Sequence, residues 1–216
     1  MDSVSEVGVL DKAVAVLDAI ADAPGSLGDL CTSTGLPRAT THRLATSLEA
    51  HGLLRRLADG RYELGSHVIS LGRVASERFP LAERARPQLA RLRDLTGESV
   101  QLFVREGAGR RCVSSFESAH GLRWILPEGS LLPLDVGSAG RVLRGELGAD
   151  GWVESVGERE PGVASVSAPV RDESGGIVAA LSVSGPIDRL SERPGRRFGL
   201  AVVDAAQAIS PTPTRR

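Results

Sequence analysis

Guanidinium, hydroxyl and imidazole groups are concentrated in one short stretch near the amino terminus, PRATTHR at residues 37–43. Such groups donate hydrogen bonds to base edges and phosphate oxygens, and a bidentate arginine is the commonest specific partner of guanine. The residues that we expect to bind DNA, here and in a following hairpin, are Arg38, Thr40, Thr41, His42, Arg43, Arg55 and Arg61. The alternative is an ordinary solvated helix face, and the cationic hairpin argues against it.

These side chains need a helix held in a fixed position, and the sequence predicts one. Apolar spacing predicts helices over residues 9–21 and 27–33, and a third from Pro37 to about residue 51. Asp59-Gly60, between two strand-like runs, then predicts a hairpin. Helix, glycine-containing turn, helix and hairpin follow one another in the order of a winged helix-turn-helix.

The charge of the chain is balanced overall and uneven locally. With 26 basic and 27 acidic residues, the whole protein has no general field that would attract nucleic acid or a membrane. Between Arg38 and Arg61, however, five arginines accompany only two acidic residues. The cations therefore lie where phosphates would be contacted.

Beyond the hairpin the sequence predicts a helical connector and an α+β body. The connector, residues 65–79, has one apolar stripe and precedes Pro80; its members are Val68, Leu71, Ala75 and Phe79. A second helix should extend from residue 81 to 95. The strand-like runs that follow are SVQLFVRE, RRCVSSFES, LRWILP, ASVSAPVRD and IVAALSVSGP, with one helix at about residues 138–144. We expect a DNA-binding domain at 1–64, the connector at 65–79, a body at 80–210 and a disordered tail at 211–216.

The body carries little that would support catalysis. Cys31 and Cys112 are far apart and outside any C-x-x-C pair, which argues against a metal site and suits a reducing cytoplasm. No serine lies in G-x-S-x-G, and REGAGRR lacks the ending of a P-loop. Glu158 and Glu160 could form a carboxylate pair, but their polar loop favours a surface or capping role. We expect a cytoplasmic protein without enzymatic activity, cofactor, metal or membrane partner.

Four serines of the body are candidates for binding a small molecule. Ser182 and Ser184 alternate with apolar residues on one strand, so both hydroxyls should lie on the same face. Ser165 lies on the preceding strand, and Ser138 opens a helix whose amino terminus could hold a carboxylate. The alternative is that each serine is a solvent-facing spacer.

The whole chain resembles a known family. The segments VGVLDKAVAVLDAIA and GLPRATTHRLATSLEAHGLLRR are similar to the amino-terminal domain of IclR-family bacterial transcriptional regulators. LPLDVGSAGRVL, GEREPGVASVSAPV and AALSVSGPI resemble that family's effector-binding domain. VGVLDKA and GEREPGVASVSAPVRD are more narrowly similar to actinobacterial regulators of leucine biosynthesis and nitrogen-linked amino-acid metabolism.

The resemblance implies a homodimer or tetramer with a GAF-like antiparallel sheet flanked by helices, acting on a pseudo-palindromic DNA operator. It also implies an effector site, formed by Trp124, Leu132, Ser138, Ala139, Ser165, Ser182 and Ser184. The expected effector is a small carboxylate metabolite, with a branched-chain amino or keto acid as first candidate. One departure from the family is the short segment around GELGAD, where other members carry one or two further helices. A competing reading is a metabolite-binding or catalytic protein whose helical head only mediates dimer contacts.

Overall fold

The computed structural model describes residues 8–21, 23–77 and 80–210. The chain divides into two compact units, residues 1–78 and 79–216. Phe79 of the expected connector stripe and the tail at 211–216 lie outside the described residues. Within the described ranges, no helix is both long enough and apolar enough to cross a membrane.

The first unit contains the expected order of helices and hairpin. Its elements are α1 (Gly8–Asp18), α2 (Leu27–Thr34), α3 (Arg38–Ala50), β1 (Leu54–Arg56), β2 (Tyr62–Leu64) and α4 (Ser66–Glu77). The strands β1 and β2 are antiparallel, and Leu57 donates its amide to the Arg61 carbonyl at 2.7 Å to close the loop between them. Helix α1 ends three residues before the predicted boundary at residue 21.

The turn between α2 and α3 is fixed at both ends by local chemistry. Ser26 and Asp29 form a capping box at the start of α2, with reciprocal hydrogen bonds of 2.8 and 3.2 Å. Gly35 ends that helix in the left-handed conformation, at φ 67°, which a side chain would disfavour. Leu30, Ala45, Leu48 and Tyr62 then join the helices and the hairpin in one buried cluster. This cluster sets the angle at which α3 is presented.

The second unit is a six-stranded antiparallel sheet with helices on both faces. Its helices are α5 (Pro80–Thr96), α6 (Gly137–Leu143), α7 (Ile187–Leu190) and α8 (Pro194–Ile209). Its strands are β3 (Ser99–Glu106), β4 (Gly109–Phe116), β5 (Leu131–Pro133), β6 (Val153–Val156), β7 (Val163–Arg171) and β8 (Ile177–Pro186). The strand order is β5-β4-β3-β8-β7-β6. The α+β class predicted from the sequence is therefore confirmed.

The two faces of the sheet bury different kinds of side chain. Leu181 and Val183 of β8 pack with α5 and α8 in the larger core. The alternate positions face α6 instead, where Ala180 joins a smaller apolar cluster and Ser182 and Ser184 are buried polar residues. The predicted alternation along β8 is thus present, and it delivers both hydroxyls beneath α6.

One predicted strand is wrong and four elements were not predicted. The run LRWILP, residues 122–127, has no strand, because Leu122 and Ile125 are exposed and the edge position beside β4 is taken by β5. The Trp124 carbonyl instead accepts a 2.7 Å hydrogen bond from the Ser99 hydroxyl, which ties this loop to the sheet. The elements absent from the sequence prediction are β5, β6, α7 and α8.

Candidate functional site

Helix α3 presents a polar face that packing leaves uncovered. Arg38, His42, Arg43 and Thr46 are exposed, and Thr40 at the margin is half-buried. Thr41 is a correction to the expected DNA-binding set, because its side chain is completely buried. Its hydroxyl lies 3.2 Å from the Pro37 carbonyl and 3.4 Å from that of Leu36, so it serves the start of the helix.

The arginines of this unit differ in their partners. Arg55 pairs with Glu63, and Arg61 pairs with Asp59 at 2.7 Å. Arg38 and Arg43 form no ion pair with any residue that the structure describes. The helix arginines are therefore free to meet a ligand, whereas the hairpin arginines would first exchange a carboxylate. For Arg61 that carboxylate is the exposed Asp59, a contact worth only about 0–1 kcal/mol, and for Arg55 it is the half-buried Glu63.

In the second unit, a cavity of about 40 Å³ brings together every residue predicted for effector binding. These are Trp124, Leu132, Ser138, Ala139, Ser165, Ser182 and Ser184. The sequence prediction did not include Phe103, Arg110, Gly137, Ser155, Arg159, Glu160 and Val163, which also line it. A cavity of this size holds about three water molecules, whereas ligand pockets are typically about 300–1,000 Å³. A metabolite therefore has to open it.

The floor of the cavity is made by strand register. Two rows of polar residues cross the sheet: Ser155, Ser165, Ser184 and Ser99 in the first, and Ser167, Ser182 and Gln101 in the second. Neighbouring strands place these side chains directly opposite one another, close enough for hydrogen bonds. The serines are thus neither isolated nor solvent-facing spacers.

A continuous chain of hydroxyls joins the floor to α6. The Ser138 oxygen lies 2.6 Å from that of Ser165 and 2.8 Å from that of Ser167, and Ser167 donates to Ser182 at 2.9 Å. Since each hydroxyl has one proton, Ser165 then donates to Ser138 and Ser138 to Ser167. The Ser182 proton is used by no hydrogen bond among the described residues, so it is available to an acceptor in the cavity.

The amino terminus of α6 is already capped from within the protein. The Gly137 amide donates to the Glu158 carboxylate at 3.1 Å, and the other oxygen of Glu158 accepts from Arg141 at 2.9 Å. The capping role considered for Glu158 is therefore the one that the structure shows. A ligand carboxylate at this position would compete with Glu158.

Arg110 is a buried cation in the cavity wall. Only 3 % of its surface is exposed, and one guanidinium nitrogen donates to the Pro133 carbonyl and, at 2.7 Å, to that of Val136. Gly140 makes room for it, because a Cβ there would lie 2.8 Å from the guanidinium. Burial, followed by the nearby positive charge of Arg159, lowers the pKa of Arg110 to about 10. It therefore remains charged at neutral pH, with its Nε unpaired among the described residues.

Arg159 closes another part of the cavity by stacking on Trp124. Its guanidinium carbon lies 4.4 Å from the ring centroid, within the range of a cation–π contact. Burial lowers the pKa of Arg159, and the carboxylate of Glu160 opposes that shift. The cavity therefore combines two cations, the carboxylate of Glu160, a row of hydroxyls and an aromatic face.

The comparisons with known proteins identify the family. The IclR helix-turn-helix domain matches residues 9–58, and the family's carboxy-terminal domain, described as bacterial transcriptional regulator IclR C-terminal, matches 74–148 and 145–211. The chain belongs to the IclR family, whose members are DNA-binding transcriptional regulators and not enzymes. The break between the two carboxy-terminal matches falls in the short connection between α6 and β6.

Individual relatives are similar over nearly their whole length. The transcriptional repressor IclR of Escherichia coli (strain K12) is 24 % identical, with 95 % of this chain and 89 % of the relative covered. The glycerol operon regulatory protein of Streptomyces griseus is 29 % identical, with 93 % and 94 % covered. The crystal structure of an IclR homologue from Microbacterium hydrocarbonoxydans, complexed with 4-hydroxybenzoate, matches with a TM-score of 0.75 at 22 % identity, covering 93 % and 97 %.

Proposed function

We propose that the protein is a sequence-specific regulator whose α3 reads bases and whose β1–β2 hairpin contacts phosphates. The observation that carries this proposal is the uncovered face of α3, where Arg38 and Arg43 are exposed without ion-pair partners in the described part of the chain. His42 and Thr40 lie beside them. Arg55 and Arg61 of the hairpin supply exposed cations suited to a sugar–phosphate backbone.

We further propose that a small carboxylate metabolite binds the cavity of the second unit and changes operator affinity. Support comes from the clustering of the expected residues in one cavity and from its cationic lining. A relative's structure with 4-hydroxybenzoate shows that one protein of this fold binds an aromatic acid. A branched-chain amino or keto acid is our first candidate, because of the resemblance to leucine-pathway regulators.

The assembly that we propose is a homodimer, or a tetramer of such dimers, reading a pseudo-palindromic operator. Residues 1–64 would form the DNA-binding domain, 65–79 the connector and 80–210 the effector-binding domain. On α4, Leu71 is 52 % exposed and Val68 is half-buried, which leaves an apolar stripe for a second copy. Because a bacterial transcriptional regulator acts on DNA inside the cell, the proposal includes a cytoplasmic location.

Control of leucine-biosynthesis genes is the most specific part of this proposal, and genome-wide mapping of bound DNA tests it directly. Enrichment of an inverted repeat upstream of leucine-pathway genes would support both the DNA reading and the pathway. Enrichment upstream of other operons would refute the pathway alone. No enrichment of any sequence over an Arg38→Ala/Arg43→Ala control would refute sequence-specific binding.

A further inference from the structure

Most arginines of the second unit whose partners are described neutralise a carboxylate, but the two in the cavity do not. Arg111, Arg123, Arg141, Arg144 and Arg189, for example, each form an ion pair. Arg110 donates to backbone carbonyls, and Arg159 stacks on the ring of Trp124. Within the described ranges, neither arginine is hydrogen-bonded to a carboxylate. Asp135 and Glu160 stabilise these two charges only through space. A buried cation without a hydrogen-bonded anion is costly, and an entering anion would relieve that cost.

Resting on the proposed ligand-modulated function, we infer that Arg110 anchors the negative charge of a small acid and that Arg159 is a displaceable lid, held on Trp124 until the acid enters. The ligand class is a small monocarboxylate with a compact apolar or planar remainder. Its carboxylate meets the guanidinium of Arg110, and its remainder takes the ring face that Arg159 leaves.

The polarity of the surrounding groups favours this orientation. The Gly137 amide at the start of α6 is occupied by Glu158, so an anion at that amide would have to displace a carboxylate. The unused proton of Ser182, in contrast, is a donor in the same cavity as Arg110. A carboxylate accepts several hydrogen bonds at once and so suits a guanidinium and a hydroxyl together.

The size of the cavity requires a lid, and Arg159 is the group that fits the role. About 40 Å³ is too little for a branched-chain acid, so some lining group has to move. Arg110 is held by backbone carbonyls and sealed by α6, whereas Arg159 is half-buried and is held by an exchangeable stack on Trp124 and by the charge of the neighbouring Glu160. A closed lid reduces apparent affinity, because only the open fraction binds.

The lid is tested first without any ligand, in a Trp152→Phe background that leaves Trp124 as the single fluorophore of its type. Arg159→Ala should shift Trp124 emission and increase its quenching by acrylamide. Arg197→Ala is the matched control, because Arg197 stacks on Phe198 at 5.0 Å outside the cavity lining. Equal quenching of Trp124 in the parent and in Arg159→Ala would overturn the lid.

The anchor is tested by titrating 4-methyl-2-oxopentanoate and its uncharged methyl ester, with calorimetry as the readout. The wild type should bind the acid and not the ester, and Arg110→Met should weaken acid binding by about tenfold or more. Arg159→Ala should bind the acid at least as tightly as the wild type. The comparison of acid with ester needs no variant, so it tests whether binding requires the negative charge even if Arg110→Met fails to fold.

Three results would overturn the inference: no acid binding at millimolar concentration, equal binding of acid and ester, or a loss in Arg159→Ala as large as that in Arg110→Met. The proposed function fails separately. If the acid binds by these rules but leaves operator affinity unchanged, the anchor stands and ligand-modulated regulation is refuted. If operator affinity responds to the acid equally in Arg110→Met, regulation stands and the anchor is refuted.

Discussion

At the scale of single residues, the two units of the protein use arginine in different ways. On α3, Arg38 and Arg43 are exposed and without carboxylate partners in the described chain, which keeps five donors per side chain available. In the cavity, Arg110 is fixed by backbone carbonyls. The planar guanidinium, which stays charged near neutral pH, suits both of the roles that we propose, contact with base edges on α3 and contact with an acid in the cavity.

The first prediction separates base contacts from phosphate contacts. Arg43→Ala should reduce discrimination between operator and random duplex by about 1–3 kcal/mol, because a bidentate guanine contact is lost. Arg61→Ala should weaken both duplexes alike and flatten the salt dependence of binding. Fluorescence anisotropy at several salt concentrations measures both effects.

A matched control for Arg61 is Asp59→Asn. The amide keeps an oxygen for the Arg61 backbone amide, which now donates to Asp59 at 3.0 Å, but removes the competing charge. This variant should therefore tighten binding to both duplexes. If Arg43→Ala discriminates between operator and random duplex as well as the wild type does, α3 is not the reading helix.

The second prediction concerns the buried hydroxyls. Ser182→Ala removes the acceptor of Ser167 and should destabilise the carboxy-terminal unit by about 1–3 kcal/mol. Ser114→Ala is the control, because Ser114 is also buried but its hydroxyl has no partner among the described residues, so its loss should be nearly neutral. Urea unfolding followed by tryptophan emission compares them. Equal stability of both variants would contradict a functioning hydroxyl chain.

At the scale of elements, the helix-turn-helix depends on the geometry of one turn. Ser26→Ala should destabilise the amino-terminal unit by about 1 kcal/mol through loss of the α2 cap. Thr32→Ala on the same helix should have little effect, since its hydroxyl bonds only to the Gly28 carbonyl of its own helix. Tyr62, the chain's one tyrosine and part of this unit's core, reports the transition.

The same cap gives a pH dependence with a defined sign. Hydrogen bonds from the backbone and side chain of Ser26 lower the pKa of Asp29 below its ordinary value. The stabilisation by its carboxylate is therefore present above the pKa of the unfolded chain and is lost as pH falls through the folded pKa. The free energy of unfolding of the wild type should fall toward that of Asp29→Asn as the pH falls through this pKa, and a constant difference between the two down to the lowest pH of folding would contradict the capping box.

Elements with strong local signals could be predicted from the sequence, and those defined by tertiary pairing could not. The capped helices and the alternation of Ser182 and Ser184 follow from spacing alone. The prediction placed a strand at residues 122–127, whereas the structure has a loop there and pairs β5 with β4 instead. Which apolar run pairs with β4 depends on the whole sheet and not on the run itself. Helix α8 did have a signal, with Pro194 at its first turn and Val202 and Ala206 one turn apart.

The cavity shows the same limit. Its serines were accessible from strand alternation and the family resemblance, whereas Arg110 and Arg159 lie far apart in sequence on segments that read as a hairpin strand and a polar loop. Ser167 was overlooked although it shares a face with Ser165 and is hydrogen-bonded to two other hydroxyls, those of Ser138 and Ser182. A buried cation is recognised only when the packing around it is known.

At the scale of the whole molecule, regulation requires that the acid and the DNA each bind two arrangements of the same assembly with different affinities. Such coupling is typically about 1–3 kcal/mol and acts in both directions. The operator should therefore change acid affinity by the factor by which the acid changes operator affinity. Calorimetric titration of the acid into protein with and without operator measures this factor, and a factor of one would refute ligand-modulated DNA binding.

The last prediction concerns the proposed dimer, in which two DNA-binding domains would contact the two halves of the operator. Leu71→Asp places a charge in the exposed apolar stripe of α4 and should give monomers at micromolar concentration. Because two linked heads bind with a high effective concentration, operator affinity should fall by about a hundredfold or more. Ile69→Asp is the control, since Ile69 is 75 % exposed on the same helix but lies away from the stripe, and it should remain dimeric. Light scattering and anisotropy measure both variants; a monomeric wild type, or a dimeric Leu71→Asp with normal affinity, would show that α4 is not the interface.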